Sequence, residues 1–171
     1  MSVWSCTLAA FRGQVAANGP VPSCGATACV CAALGLALLL MALRNAQHKA
    51  PDADRQHLIE AAERLLPAPP SHAATDGRQN ALNVTLGALA GACSCLEGLE
   101  PVEGSLPWVA APLQSELVAA ALILHAGLSA MLLNVAADAG ELDAAQEALD
   151  PQQVASQLQT AADEGLRRIR G

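Results

Sequence analysis

Residues 25–43, GATACVCAALGLALLLMAL, form a run of nineteen residues without a charged side chain. Ala and Leu dominate this run, and both rank at the top of the helix-propensity scale. Small residues recur along it at spacings of three, four or seven, at Gly25, Ala28, Ala32, Gly35 and Ala42. A stripe of small side chains lets a second helix approach closely. The run therefore predicts a long helix, about residues 25–47, that packs tightly against another helix.

A second apolar run covers residues 117–137 and is interrupted by His125 and Asn134. The first run is long enough to cross a bilayer, so a small membrane protein is one alternative. That run, however, holds Gly, Thr and two Cys, and many of its apolar residues are only Ala. We therefore expect two buried helices of a bundle rather than membrane spans.

The composition of the whole chain favours an all-α fold. Of its 171 residues, 53% are hydrophobic but only 2% are aromatic, whereas strands draw on β-branched and aromatic residues. The length suits one domain over residues 1–171. We predict a bundle of about five to six helices in which the two long apolar helices are buried.

Charge and cysteine content restrict the function. Sixteen acidic and nine basic residues give a net charge of -7, which argues against nucleic-acid binding because such proteins use Lys and Arg to replace counterions. The six cysteines accompany a rich core and a start without the basic region of a secretory signal, so we expect free thiols and a cytoplasmic location. No metal site is predicted, because neither the cysteines nor the four histidines have the spacing of zinc ligands.

The other elements follow from capping and breaking signals. Pro20 and Pro22 break the chain before the first long helix, and Asp52 or Asp54 can cap the helix after it. We expect helices over residues 5–17, up to residue 66, over 79–97, from 115 to about 139 and over 151–169, with loops over 67–78 and 97–112.

Two segments resemble a known family. Residues 11–28 read FRGQVAANGPVPSCGATA, and residues 115–135 read SELVAAALILHAGLSAMLLNV. The Pro-x-Pro turn before a long helix and the Leu-Asn-Val ending are similar to those of the cyclodeaminase/cyclohydrolase family. That family includes methenyltetrahydrofolate cyclohydrolases and the cyclodeaminase half of formiminotransferase-cyclodeaminase. The chain resembles a divergent, short member, because Ser23-Cys24-Gly25 replaces a glycine run and Glu116 replaces an aspartate.

The resemblance implies an enzyme that acts on a one-carbon tetrahydrofolate, as a helical homodimer and without a metal. The reaction would be hydrolysis of 5,10-methenyltetrahydrofolate or deamination of 5-formiminotetrahydrofolate. Glu116 and Asp138 are the candidate catalytic residues. A carboxylate there can accept hydrogen bonds from the pterin edge, attract the cationic methenyl group and deprotonate water.

Six further residues are candidates for binding the folate. The turn that leads into the first long helix presents unpaired N–H groups, which can bind an anion or a carbonyl group. Lys49 can pair with the glutamate tail, and Asn134 lies one turn before Asp138 on the same face. The candidates for binding are Pro22, Ser23, Cys24, Gly25, Lys49 and Asn134.

Alternatives remain at this stage. An acid near a helix start suits the helix dipole, so Glu116 can also be a simple cap. Glu116 and Asn134 lie eighteen residues apart, or about 27 Å along a helix, so one chain cannot bring both to one small ligand, although a partner chain could. The other function considered is therefore a non-catalytic helical dimer that serves as a binding or assembly subunit.

Overall fold

The computed structural model describes residues 3–17, 24–66, 77–138 and 150–171. A short 3₁₀ turn, Val3–Ser5, precedes the first helix. The α-helices are α1 (Leu8–Val15), α2 (Cys24–Lys49), α3 (Ala53–Leu65), α4 (Gly77–Ser105), α5 (Ala111–Asp138) and α6 (Pro151–Arg170). No strand occurs within the described ranges. The predicted all-α bundle with two long apolar helices is thus confirmed.

Two predicted boundaries are wrong. The loop expected over residues 97–112 is mostly helical, because α4 continues through Pro101 to Ser105 and α5 already begins at Ala111. Pro101 is tolerated since the turn after it is held by the buried Val102 and by the Ser105 hydroxyl, which donates to the Pro101 carbonyl. Glu116 therefore lies in the second turn of α5, and its interpretation as a helix cap is wrong.

Helices α2 and α5 form the centre of the bundle and cross at their glycines. A Cβ atom added to Gly35 would lie 2.9 Å from the Leu124 Cγ and 3.2 Å from the Ala120 carbonyl oxygen. A Cβ added to Gly127 would lie 3.4 Å from the Ala28 carbonyl oxygen. Residue numbers rise along one helix as they fall along the other, so the pair is antiparallel. The predicted stripe of small residues on α2 is this contact.

Helices α4 and α6 cover one side of the central pair. A Cβ on Gly98 of α4 would lie 3.1 Å from Leu36 and 3.2 Å from Leu124, so α4 contacts both central helices. On α6, Gly165 packs against Leu99 of α4, and the Arg168 Nε atom pairs with the Glu103 carboxylate at 2.9 Å. The largest fully buried side chains lie in this core, and they include Leu36, Leu39, Leu43, Leu117, Leu124 and Leu128.

None of the residues that the structure describes covers the opposite side of the central pair. Leu34 and Met41 on α2 are exposed, as are Leu122 and Leu133 on α5. Leu36 and Leu124 contact Gly98 of α4. Leu34 and Leu122 precede them by two residues, so they lie about 200° around their helices from this contact. By length and composition both helices could cross a membrane. The 18-residue apolar segment of α2 is 50% buried, and that of α5 is 44% buried. About half of each apolar segment is therefore left exposed by the described residues.

A buried arginine holds the end of α2. Arg55 of α3 is 8% exposed, and its Nη1 atom donates to the Ala46 carbonyl at 3.0 Å and also to the Ala50 carbonyl. Its guanidinium lies 6.0 Å from the centre of the Trp108 ring. The Ala46 carbonyl also accepts from the Ala50 N–H group at 3.0 Å, so Arg55 adds a second hydrogen bond there. At the Ala50 carbonyl it supplies a partner that the end of α2 does not.

Arg55→Met is expected to lower the free energy of unfolding by about 2–3 kcal/mol, because it removes the charge-assisted hydrogen bonds from Arg55 to two backbone carbonyls at the end of α2. Urea unfolding followed by circular dichroism measures this loss. Arg64→Met on the same helix is the control: Arg64 is exposed, and the change there should stay within about 0.5 kcal/mol. Equal effects of the two substitutions would contradict the role given to Arg55.

Candidate functional site

The predicted site residues fall into two groups at opposite ends of the α2–α5 pair. Gly127 packs against Ala28 and Ala32. Beyond that crossing, in the same direction, lie Cys24 at the start of α2 and Asn134 near the end of α5. Antiparallel packing therefore places the start of α2 and the end of α5 together, as a folate site at the turn requires.

The described residues of this first group are at least partly exposed. Cys24 is exposed, while Gly25 and Asn134 are half-buried. Pro22 and Ser23 lie outside the described residues. Asp138 is the last residue of α5, and its side chain also lies outside the described part.

The second group lies toward the other end. Glu116 is half-buried on α5, beyond the crossing at Ala120 and Gly35. Lys49 is the last residue of α2 and is exposed. The nearby Arg44 pairs with Glu63 at 2.6 Å, so its charge is already partly neutralised. Glu116 and Asn134 remain about 27 Å apart along one straight helix, so one chain does not bring them together.

A cluster that the sequence did not predict joins α5 to α6. The His125 Nε2 atom lies 2.6 Å from the Asp163 Oδ1 atom, and the Gln159 Nε2 atom donates to the same oxygen at 2.8 Å. His125 is mostly buried, with 22% of its side chain exposed, and Asp163 is half exposed. The partners of His125 lie 34 and 38 residues away in the chain, and only tertiary packing brings them together.

Asp163 is expected to titrate at unusually low pH. The hydrogen bonds from His125 and then from Gln159 lower the pKa of the Asp163 carboxyl below its usual value. Because the folded-state pKa is the lower one, the carboxylate stabilises the fold at pH above its unfolded pKa of about 3.9. That contribution is lost as the pH falls through the folded value.

Carboxyl NMR titration tests this assignment. His125→Leu should raise the Asp163 pKa toward its usual value, whereas His57→Leu should leave it unchanged, because His57 lies on α3 beside Glu60. An unchanged Asp163 titration in the His125 variant would contradict the contact.

The six cysteines form no disulfide bond. All six are free thiols, as predicted. Burial raises the pKa of the Cys95 thiol to about 12, and it also raises the pKa of the Cys29 thiol, so both are held in the neutral form. Within the described residues no three His, Cys, Asp or Glu side chains converge as a metal site requires.

The first part of the chain matches a known protein family. The sequence model of the family described as formiminotransferase-cyclodeaminase matches residues 7–76, which include α1, α2 and α3. The predicted resemblance to this family is confirmed. No curated protein matches the chain at a significant level.

The fold is also similar to a solved structure. The crystal structure of formiminotetrahydrofolate cyclodeaminase from Thermotoga maritima superposes with a TM-score of 0.72 at 17% sequence identity. The match covers 98% of this chain and 96% of that one. At this identity the likeness concerns the fold, and it extends from α1 to α6.

Proposed function

We propose that the chain is an enzyme of one-carbon tetrahydrofolate chemistry, and that it releases ammonia from 5-formiminotetrahydrofolate. The family match over residues 7–76 carries this proposal. The fold likeness to a formiminotetrahydrofolate cyclodeaminase over nearly the whole chain supports it. Hydrolysis of 5,10-methenyltetrahydrofolate is the second reaction to measure, because it attacks the same carbon.

We further propose that the site is shared between two copies of the chain. The uncovered apolar face around Leu34, Met41, Leu122 and Leu133 is the contact that a second copy would bury. A two-fold axis level with residue 125 in the middle of α5, next to the exposed Ala126, would set two α5 helices antiparallel. Residues 116 and 134 lie at equal distances from residue 125, so each Glu116 would then lie beside the Asn134 of the other copy.

In this arrangement the folate lies against the start of α2. The N–H groups of the first turn, from Cys24 and Gly25, face the ligand and bind its carbonyl groups. Asn134 supplies an amide that both donates and accepts hydrogen bonds. Lys49 of the copy that also supplies Glu116 pairs with the glutamate tail. The pair is cytoplasmic, where reduced folates and free thiols both persist.

The chemistry needs one proton carrier. In the protonated formimino group, N10 of the folate attacks the formimino carbon and forms the new carbon–nitrogen bond. The Glu116 carboxylate takes the N10 proton and passes it to the leaving amino group. The bond from carbon to that nitrogen breaks, ammonia departs, and the cationic methenyl product remains beside the carboxylate. In hydrolysis the same carboxylate would deprotonate the attacking water.

Asp138 is the second candidate for this role. It lies one turn beyond Asn134 on the same face of α5, at the end of α5 that is beside the start of α2 in the same chain. Asp138→Asn therefore separates the two assignments: a large loss of turnover would favour Asp138, and a small one would favour Glu116.

Turnover and binding measured on the intact chain test the proposed function. The expected result is ammonia release from 5-formiminotetrahydrofolate above the uncatalysed rate, with saturable binding of a reduced folate in calorimetry. A soluble dimer that neither binds nor converts a reduced folate would contradict the proposal and select the non-catalytic alternative. Recovery only in detergent would favour a membrane protein instead.

A further inference from the structure

A cavity of about 400 Å³ opens on the side of α5 that faces away from α2. Its lining comprises His125 of α5 together with Asp163, Leu166, Arg167, Arg170 and Gly171. The folate site proposed above lies on the α2 side of the same helix, at Asn134, which is about 180° around the helix from His125. The cavity is therefore a separate feature.

The charges in this cavity are unbalanced. The one acidic side chain of its lining, Asp163, already accepts hydrogen bonds from His125 and Gln159. The positive charge of Arg167 contributes to the lowered pKa of Asp163, but neither Arg167 nor Arg170 comes within 4.0 Å of a carboxylate in the part of the chain that the structure describes. Arg168, which lies between them in sequence, pairs instead with Glu103 on the α4 side. Two arginines that form no direct ion pair with a described residue thus line one concavity with a single acidic side chain, although acids outnumber bases in the chain by sixteen to nine.

We propose that this cavity binds a compact oxyanion, a carboxylate or a phosphate group, between the guanidinium groups of Arg167 and Arg170. Guanidinium groups bind such anions through paired, charge-assisted hydrogen bonds. The His125 ring forms one wall, and its contact with Asp163 fixes it there. This site does not depend on the proposed folate chemistry.

Titration of the intact chain with inorganic phosphate and, separately, with glutarate tests the site and distinguishes the two sources of oxyanion. Calorimetry gives the affinity, and the His125 imidazole resonances report whether the ligand lies in the cavity. A sodium chloride titration at matched ionic strength is the control for signal changes that come from charge screening alone. We expect one or both anions to bind and to shift the His125 resonances, which His125→Gln assigns among the four histidines.

Variants on α6 decide the outcome. The double substitution Arg167→Gln with Arg170→Gln should weaken binding roughly tenfold or more. Arg168→Gln removes the same charge from the same helix outside the cavity, so it should bind like the wild type. Equal affinities for all three proteins, or no binding of either anion, would overturn the proposal. Folate turnover stays unchanged in the α6 variants, which keeps this test independent of the proposed function.

Discussion

Glu116→Gln is expected to lower the turnover of 5-formiminotetrahydrofolate by about 10²–10⁴-fold, the range typical for loss of a positioned proton carrier. The substitution keeps the size of the side chain and removes only its ability to take a proton. Binding of the folate should change far less than the rate, because the turn at Cys24 and Gly25 is untouched. Ammonia release under saturating substrate measures the effect.

A matched control is Glu97→Gln, which removes one exposed carboxylate from α4 and should leave the rate unchanged. If Glu116→Gln and Glu97→Gln turn over equally well, Glu116 has no part in proton transfer. The catalytic role would then fall to Asp138.

Gly35→Ala is expected to lower the free energy of unfolding by about 1–2 kcal/mol, although alanine is the better helix former. The added methyl group would lie 3.2 Å from the Ala120 carbonyl oxygen and 2.9 Å from the Leu124 Cγ. Leu124 is fully buried, so neither neighbour can yield without moving α5. Urea unfolding of the purified variant measures the loss.

Gly87→Ala is expected to change the free energy of unfolding in the opposite direction. Gly87 lies inside α4, and a Cβ there would meet nothing within 4 Å. This substitution should stabilise the protein by up to about 1 kcal/mol through helix propensity alone. If Gly35→Ala stabilised the protein as much as Gly87→Ala, the close crossing of α2 and α5 would be refuted.

The sequence predicts the central helices well because their signal is local. The uncharged run over residues 25–43 indicates a helix over 25–47, and α2 spans Cys24–Lys49. Asp52 was one of two expected caps, and its side chain accepts from the Arg55 N–H group. The stripe through Gly35 indicated a close helix contact, which α5 supplies.

Features that depend on distant packing were not predicted. Pro101 suggested a break, yet burial of Val102 and Leu99 in the core keeps α4 helical beyond it. The contact of His125 with Asp163 joins residues 38 positions apart and has no signature in either local sequence. The separation of Glu116 from Asn134 was predictable, by contrast, because both residues lie on one helix and their distance follows from the helical rise.

Mixing two inactive variants tests the shared site most directly. Glu116→Gln and Asn134→Ala chains, refolded together in equal amounts, would form mixed dimers in which one of the two sites carries both native residues. We predict recovery of roughly a quarter of the wild-type turnover of 5-formiminotetrahydrofolate, since half of the dimers are mixed. Activity that stays at the average of the two separate variants would contradict a folate site built from two copies of this chain.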